Sequence, residues 1–342
     1  MSKTNRRTIL KGSLALVAAP AVITSARAQE KVNWRLQAHW PRSSASFGRS
    51  LEVLAKELDR QTGGRFTLEL LGAGEMAKGA EIFHHVRRGV IQMAMTFPGY
   101  NLGESELFGL YAGLPGLLRE PWEMMHYTRN LGLEDAVNED LRSKGVFMRA
   151  EFVNPTELVF KHKIDASTNL AGIKVRSAGT MLEFLAAAGF APQQVASSEI
   201  YQALSTGVVD GAHWGAAAGA LSIKLWEVAP FHMKPSLQLT NNCYMINQAA
   251  YDKLPEDLRE IFTGLLKDQC WRRTFEYQHE EAVALRTGVE KMGVTVGHYS
   301  DEVMAKFNKA AKDILAKEMA KGPKAKEFGD RLLKFMDDLG YA

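Results

Sequence analysis

Arg176 and the run Asp210 to Trp214 are the side chains of this sequence best suited to bind a small molecule. The segment from Gly172 to Trp214 reads as a strand, two helices and a second strand. Arg176 closes the first strand, and the run Asp-Gly-Ala-His-Trp closes the last. Open α/β sheets gather their ligands at strand ends. A guanidinium offers two parallel donors to a carboxylate, and an aromatic ring can form a wall beside it. The segment therefore predicts a site for a small carboxylate.

The first 28 residues have the features of an export signal. Arg6 and Arg7 form a twin-arginine pair, an apolar run follows, and the tripeptide Ala-Arg-Ala that ends at Ala28 fits a cleavage site. The apolar run is too short for a membrane anchor. We expect export by the Tat pathway into the periplasm, with the processed chain beginning at Gln29.

Removal of residues 1–28 changes the charge of the chain. These residues hold five of the 42 Lys and Arg residues and no acid, which leaves 37 basic residues against 39 acidic ones and a net charge of −2. No basic field remains to attract nucleic acid. The sequence also lacks P-loop, Gly-x-Ser-x-Gly and His-Glu-x-x-His patterns. Cys243 and Cys270 leave open one disulfide or two buried thiols.

Strands that alternate with helices indicate an α/β fold. Apolar residues alternate from Val32 to Trp40 and again from Phe66 to Leu70, with a helical pattern between them. Further strands are predicted over 91–96 and 146–151, and a helix over about 121–144. An arrangement of this kind places helices on both faces of a sheet.

A long helix is predicted after Pro255, because no breaker follows before Gly293. A helix of that length would be a rod of about 55 Å, long enough to act as a spine across two lobes. Two shorter helices, broken near Gly264 or Gly288, are the alternative. Two amphipathic helices over 301–319 and 323–339 are expected to cap this spine or to pair with another subunit.

Six stretches of the sequence, in this order and at these intervals, carry a family resemblance. They are Trp40-Pro41, Gly72 to Glu75, Gly99-Tyr100, Leu170 to Arg176, Glu199 to Leu204 and Gly207 to Trp214. Because of these six stretches, the chain resembles the DctP-type solute-binding proteins of TRAP transporters, and the resemblance extends across essentially all of the processed sequence. Within that group it is most similar to the branch that binds 2-oxo acids and related monocarboxylates.

The resemblance implies a two-lobed α/β fold like that of periplasmic binding proteins, with the long helix crossing both lobes. We expect lobe I to comprise residues 29–151 and 238–285, and lobe II to comprise residues 152–237 and 286–342 with the C-terminal helices. The ligand would be held in the cleft between the lobes, and the cleft would close by a hinge movement.

The resemblance also implies roles for particular residues. Arg176 matches the arginine that pairs with the ligand carboxylate, and Trp214 matches an aromatic residue of the cleft wall. Tyr100 and Trp40 match cleft positions in the first lobe, where rings close over an apolar part of the ligand. For Tyr100 and Trp40, packing in the core is the equally open alternative.

His213 is where the chain departs from the family pattern, because the oxo-acid branch usually has a glutamate there that helps to coordinate a metal ion. The branch also has a glutamine within 153–158, and this chain has none. Hard cations prefer oxygen ligands, whereas histidine suits zinc-like metals or hydrogen bonds. We therefore expect no alkali or calcium ion at this site and expect His213 to bond the ligand directly. Any metal ion that did bind there would involve His213.

Four further residues are candidates for polar contacts with the ligand. They are Asn154, Glu157, Asn241 and Asn242.

The predicted function is that of the periplasmic substrate-binding subunit of a TRAP transporter. It would capture a small organic acid of the monocarboxylate or 2-oxo acid type and deliver it to the membrane permease. A homodimer formed through the C-terminal helices is a further expectation. Two alternatives stay open at this point: a Tat-exported metal enzyme centred on His213, and a sensor protein that presents its ligand to a membrane partner.

Overall fold

The computed structural model describes residues 30–165 and 167–341. The predicted signal peptide lies outside the described residues. The strands are β1 (Val32–Ala38), β2 (Phe66–Leu71), β3 (Met93–Thr96), β4 (Val146–Phe160), β5 (Lys174–Ser177), β6 (Ala191–Gln194), β7 (Gly211–Ala212), β8 (Phe231–Asn247) and β9 (Thr295–His298). No helix of this described part is long and apolar enough to cross a membrane.

Helices cover much of the chain between these strands. They are α1 (Val53–Gln61), α2 (Ile82–Arg87), α3 (Phe108–Ala112), α4 (Pro121–Met125), α5 (Leu133–Leu141), α6 (Thr180–Ala187), α7 (Ile200–Ser205), α8 (Ala217–Ser222), α9 (Gln248–Asp252), α10 (Glu256–Met292), α11 (Asp301–Met319) and α12 (Pro323–Asp338). The expected α/β fold is confirmed.

The strands join in one mixed sheet in the order β2-β1-β3-β8-β4-β7-β5-β6, with β9 beside β8. β1 pairs in parallel with both β2 and β3, and β5 pairs in parallel with both β6 and β7. The two long strands β4 and β8 pair with each other antiparallel and connect these two parallel groups. The expected lobe boundaries at 151/152 and 237/238 fall inside β4 and β8, and the division into lobes stays a prediction.

α10 is a single helix of 37 residues, as the lack of a breaker before Gly293 predicted. It continues through Gly264 and Gly288, so the alternative of two shorter helices is wrong. Gly288 permits close packing, because a Cβ atom there would lie 2.7 Å from the ring of Trp226. At about 1.5 Å per residue the helix is about 55 Å long.

The helix predicted over 121–144 is not continuous. It is divided into α4, a π-helical turn over His126–Asn130, α5 and a short 3-10 turn. The division falls at Gly132, which has a φ of 83°. This left-handed conformation ends a helix and suits glycine, which has no Cβ atom to clash with the backbone.

The core consists of apolar side chains from both faces of the sheet. On one side, Trp34 of β1 packs edge-on against Phe66 of β2 and Phe262 of α10. Both cysteines are buried and free, so no disulfide joins them. This packing fixes the strand ends from which the functional side chains project.

Candidate functional site

A cavity of about 690 Å³, with its open mouth included, lies where several strands end beside α8 and α10. Its lining comes from the chain just after β1, β3 and β7, from β4, β5 and β8, and from the two helices. A recess lined by aromatic rings and a few polar groups suits a small organic molecule. Seven of the nine predicted site residues line it: Trp40, Tyr100, Asn154, Arg176, His213, Trp214 and Asn242.

The two long strands form one wall of the cavity. Phe152, Asn154 and Thr156 of β4 line it, and they lie opposite Asn242, Thr240 and Gln238 of β8 in the antiparallel register. Side chains alternate between the faces of a strand, so every second residue projects into the cavity.

Hydrogen bonds join these facing side chains across the two strands. Asn242 Nδ2 donates to Asn154 Oδ1 at 2.7 Å, and the hydroxyls of Thr156 and Thr240 are 2.7 Å apart. The Gln238 amide donates to the Gly113 carbonyl oxygen. Much of the hydrogen-bonding capacity of this wall is therefore used within the protein.

Arg176 is a buried charge, with 2% of its surface exposed. Its Nε donates to the Val195 carbonyl oxygen at 3.1 Å, and one terminal nitrogen donates to the His213 carbonyl oxygen at 3.2 Å. Its guanidinium carbon lies 5.8 Å from the ring centroid of Trp214. Among the described residues, no carboxylate lies within 4 Å of it. A buried charge is stable only when it is paired, so the site favours an anion.

His213 lies beside this arginine and is neutral at physiological pH. Burial lowers the pKa of its imidazole to about 3, and the positive charge of Arg176 acts in the same direction. Its Nε2 lies 3.1 Å from the Ser177 hydroxyl, which orients the ring. His213 therefore contributes hydrogen bonds to the cavity and no charge.

Aromatic rings form the apolar part of the lining. Trp40 packs against Phe152 at 5.8 Å between ring centroids, and Tyr100 packs edge-on against Phe97 at 5.5 Å. Trp40 is buried, Tyr100 and Trp214 are half-buried, and all of them line the cavity. Such rings suit the apolar surface of a ligand whose polar group is held elsewhere.

Glu157 and Asn241 lie outside the lining. Glu157 follows Thr156, so its side chain leaves the opposite face of β4 and bonds His232 Nε2 and Lys234 Nζ, each at 2.5 Å. Asn241 lies between Thr240 and Asn242 on β8 and donates to the Tyr111 carbonyl oxygen at 3.1 Å. In each strand the cavity-facing residues are every second one, and Glu157 and Asn241 lie between them, so both side chains point to the opposite face of the sheet.

Several lining residues were missed by the sequence reasoning. The larger ones are His39, Phe97, Phe152, Gln238, Tyr277 and Glu280. For β4 and β8, the alternation that passes through Asn154 and Asn242 was an available signal. For Tyr277 and Glu280 on α10 no local signal existed, because their approach to the cavity depends on how the long helix packs.

The carboxylate that the described lining offers is already paired with arginine. Glu280 supplies a carboxylate, but its Oε1 lies 2.7 Å from an Arg49 nitrogen and 2.8 Å from an Arg273 nitrogen. Within residues 30–165 and 167–341, no three His, Cys, Asp or Glu side chains are arranged to hold a metal. Sodium and calcium ions need several oxygen ligands, and the charge of Arg176 would repel a cation.

Comparison with known proteins gives a consistent result. The sequence profile of DctP, described as bacterial extracellular solute-binding protein, family 7, matches residues 37–322. A monocarboxylate 2-oxoacid-binding periplasmic protein of Nostoc is 25% identical over 330 residues, which cover 93% of this chain and 88% of that protein.

Solved structures share the fold. A TRAP periplasmic solute-binding protein of Pseudoalteromonas atlantica with bound sodium and pyruvate has a TM-score of 0.83 at 24% identity, over 91% of this chain and 96% of that one. A TRAP solute-binding protein of Bordetella bronchiseptica with calcium and picolinate has a TM-score of 0.84 at 22% identity, over 91% and 93%.

These findings exclude one of the alternatives raised by the sequence. The family and the relatives are solute-binding proteins, so the idea of a metal enzyme centred on His213 is wrong. The profile covers most of the chain, including the strands and helices that build the cavity. The chain belongs to the DctP family, family 7 of the bacterial extracellular solute-binding proteins.

Proposed function

We propose that this protein is the periplasmic substrate-binding subunit of a TRAP transporter and captures a small monocarboxylic acid of the 2-oxo acid type. It then delivers the acid to a membrane permease. Its family and the TRAP relatives of the same fold support the transport role. The Nostoc protein, named for monocarboxylate 2-oxo acids, supports the ligand class. The twin-arginine signal supports Tat export.

The observation that carries the ligand proposal is the burial of Arg176 without a carboxylate partner among the described residues. A ligand carboxylate would supply the missing negative charge and accept two parallel hydrogen bonds from the guanidinium. The neighbouring Trp214 ring and the other aromatic rings of the lining would cover the apolar part of the acid.

The charge balance of the lining favours one carboxylate over two. His213 is neutral, and the charge of Glu280 is compensated by Arg49 and Arg273. Arg176 is thus the uncompensated charge, and a single carboxylate balances it. A second carboxylate would be buried without a partner, at a cost of several kcal/mol.

We infer that the acid is bound without a metal ion. In the Pseudoalteromonas relative, sodium accompanies pyruvate. Here His213 provides an uncharged hydrogen-bonding group beside Arg176, and the carboxylate of Glu280 is engaged by two arginines. Removing both a carboxylate and its balancing cation leaves the charge of a site nearly unchanged. Replacing sodium by choline in the buffer and removing calcium with EDTA are therefore each expected to leave the affinity within about twofold.

A homodimer formed through α11 and α12 stays a prediction. These two helices pack on each other, and α11 also packs on α6. Light scattering with size-exclusion chromatography measures the oligomeric state directly.

Isothermal calorimetry on protein freed of bound ligand tests the carboxylate proposal. Wild type is titrated with 2-oxo, 2-hydroxy and unsubstituted monocarboxylates of three to six carbons and with dicarboxylates. Arg176→Met is expected to weaken binding of the best acid at least a hundredfold, and Arg176→Lys about tenfold, because lysine keeps the charge but not the paired donors.

Arg60→Met is the matched control, because Arg60 is exposed and pairs with Glu57 on the surface. It should bind like the wild type. The proposal fails if Arg176→Met binds the best acid with wild-type affinity, or if the wild type binds dicarboxylates more tightly than every monocarboxylate.

A further inference from the structure

His39 is a lining residue of the cavity to which neither the sequence reasoning nor the family comparison gives a role. It follows the end of β1, and 5% of its surface is exposed. Its ring centroid lies 5.5 Å from those of Trp40 and Tyr100 and 5.8 Å from that of Trp214. The imidazole is thus enclosed by three aromatic rings, each of which also lines the cavity.

The position of His39 is fixed through its backbone. Its N–H donates to the Met95 carbonyl oxygen at 3.0 Å, and its own carbonyl oxygen accepts from the Ser197 hydroxyl at 2.9 Å. Ser197 lies 158 positions further along the chain, so two distant parts of the fold hold this residue. These two backbone hydrogen bonds, together with the three surrounding rings, hold the imidazole at the cavity.

A buried ring nitrogen without a partner distinguishes His39 from the other described residues that line the cavity. Nδ1 of His39 is buried and has no hydrogen-bond partner among the residues that the structure describes. By contrast, the ring of His213 bonds to Ser177, and the ring of His232 bonds to both Trp226 and Glu157. A buried polar atom without a partner costs about 1–3 kcal/mol, so such an atom in a cavity lining marks a place for a ligand group.

The imidazole of His39 is uncharged at physiological pH. Burial lowers its pKa to about 3; the Met95 backbone opposes this effect, and the charge of Arg176 reinforces it. A neutral imidazole has one donor and one acceptor nitrogen. It can therefore pair with a keto or hydroxyl oxygen, whereas it offers no charge to a second carboxylate.

His39 and Arg176 lie at the same part of the cavity lining, because both are bonded to the short segment 195–197. Arg176 Nε donates to the Val195 carbonyl oxygen at 3.1 Å, and the Ser197 hydroxyl donates to the His39 carbonyl oxygen at 2.9 Å. A small acid held by Arg176 can therefore present the substituent next to its carboxylate toward His39. This step rests on the proposed binding of a monocarboxylate by Arg176.

We propose that His39 is a specificity-determining residue, which bonds a 2-oxo or 2-hydroxy group of the ligand and selects such acids over unsubstituted ones. A site built to bond a polar group discriminates against an analogue that lacks the group, because its own polar atom is then left unpaired. The aromatic rings around His39 offer no substitute partner for that atom.

Calorimetry on a matched set of acids tests the role of His39. Pyruvate, L-lactate and propionate form the three-carbon set, and the corresponding six-carbon acids form a second set. In the wild type, the substituted acids should bind at least tenfold more tightly than the unsubstituted acid. His39→Phe keeps an aromatic ring without a polar atom and should reduce that ratio to less than about threefold.

His39→Gln is the rescue variant, because its amide restores a hydrogen-bonding group and should recover part of the preference. Thermal melting confirms that each variant is folded. If His39→Phe keeps the wild-type ratio, the role of His39 is overturned while the Arg176 proposal stands. If the wild type binds none of the acids, the proposed function fails, and this inference fails with it.

Discussion

Arg176 and Glu157 are two buried charges with opposite surroundings. Arg176 lies next to the last residue of β5 and has backbone carbonyl oxygens as its hydrogen-bond partners, with no carboxylate within 4 Å among the described residues. Glu157 on β4 has 3% of its surface exposed and bonds both His232 and Lys234. The sequence had suggested both as ligand contacts, and the structure places only Arg176 in the cavity.

Burial of a charge does not by itself identify a ligand site. Burial raises the pKa of Glu157, but the hydrogen bonds from His232 and Lys234 outweigh this effect and bring the pKa below its usual value. Its charge is thus balanced within the protein, and its role is structural. Arg176 lacks such a counter-charge, and a ligand can supply it.

The largest effect expected from this comparison is on stability. Glu157→Ala should lower the free energy of unfolding by about 3–5 kcal/mol, because it leaves the buried ring of His232 and the partly exposed ammonium group of Lys234 without their acceptor. Urea denaturation measures the loss. Glu139→Ala, which removes an exposed pair with Lys324, should cost less than about 1 kcal/mol.

Ligand affinity of the folded Glu157→Ala protein should stay close to that of the wild type. Loss of ligand affinity in this variant with unchanged stability would break the comparison, because Glu157 would then act at the cavity.

A smaller effect concerns Glu281 of α10, whose carboxylate accepts the N–H groups of Ala217 at 2.6 Å and Ala218 at 3.1 Å, at the start of α8. Burial, and then the charge of Glu157, raise its pKa to about 7. Since this folded-state pKa lies above the value of 4.5 for the free side chain, Glu281 makes the protein less stable as pH rises from about 4.5 to about 7.

Glu281→Gln removes this titration and sharpens the comparison. Its free energy of unfolding relative to the wild type should rise by about 1–2 kcal/mol between pH 5 and pH 8, as measured by denaturation at each pH. Glu151 also has a pKa raised to about 7 by burial. The free energy of unfolding of the variant should therefore still fall with rising pH, but less steeply than that of the wild type. If the free energy of unfolding of Glu281→Gln differs from that of the wild type by the same amount at every pH, Glu281 is already ionised throughout this range.

The smallest expected effect is on the stability of Arg176→Met. Replacing an uncompensated buried charge by an apolar side chain of similar length should change the free energy of unfolding by less than about 1 kcal/mol in the absence of ligand. Denaturation of ligand-free protein measures it. A loss of 3 kcal/mol or more would place Arg176 in the same structural class as Glu157.

Local sequence patterns predicted much of the fold and part of the site. The alternation over β1 and β2 and the unbroken pattern after Pro255 gave the correct elements, because they depend on neighbours along the chain. Arg176 and Trp214 were found because strand ends are recognisable from sequence. The division of the helix at Gly132 was missed, since one glycine in a helical pattern does not by itself end the helix.

The separation of Glu157 and Asn241 from the cavity required the register of the sheet. The pairing of Asn154 with Thr240 assigns one parity of β4 and of β8 to the cavity face. A shift of one residue would exchange the faces, and adjacent residues of similar polarity give no local signal of which face is which. Tyr277 and Glu280 reach the cavity through the packing of α10, which a local pattern does not encode.

The α/β class, the long helix, and an arginine and an aromatic residue at neighbouring strand ends all follow from local sequence patterns. The resemblance to the DctP family does so as well, because the motifs of the family are contiguous stretches. In contrast, three features become visible in the folded molecule alone: Arg176 is buried without an acidic partner among the described residues, Glu157 is paired, and His39 lies at the cavity. The physical reason is that the state of a buried charge depends on all the groups around it, and these come from parts of the chain far apart in sequence.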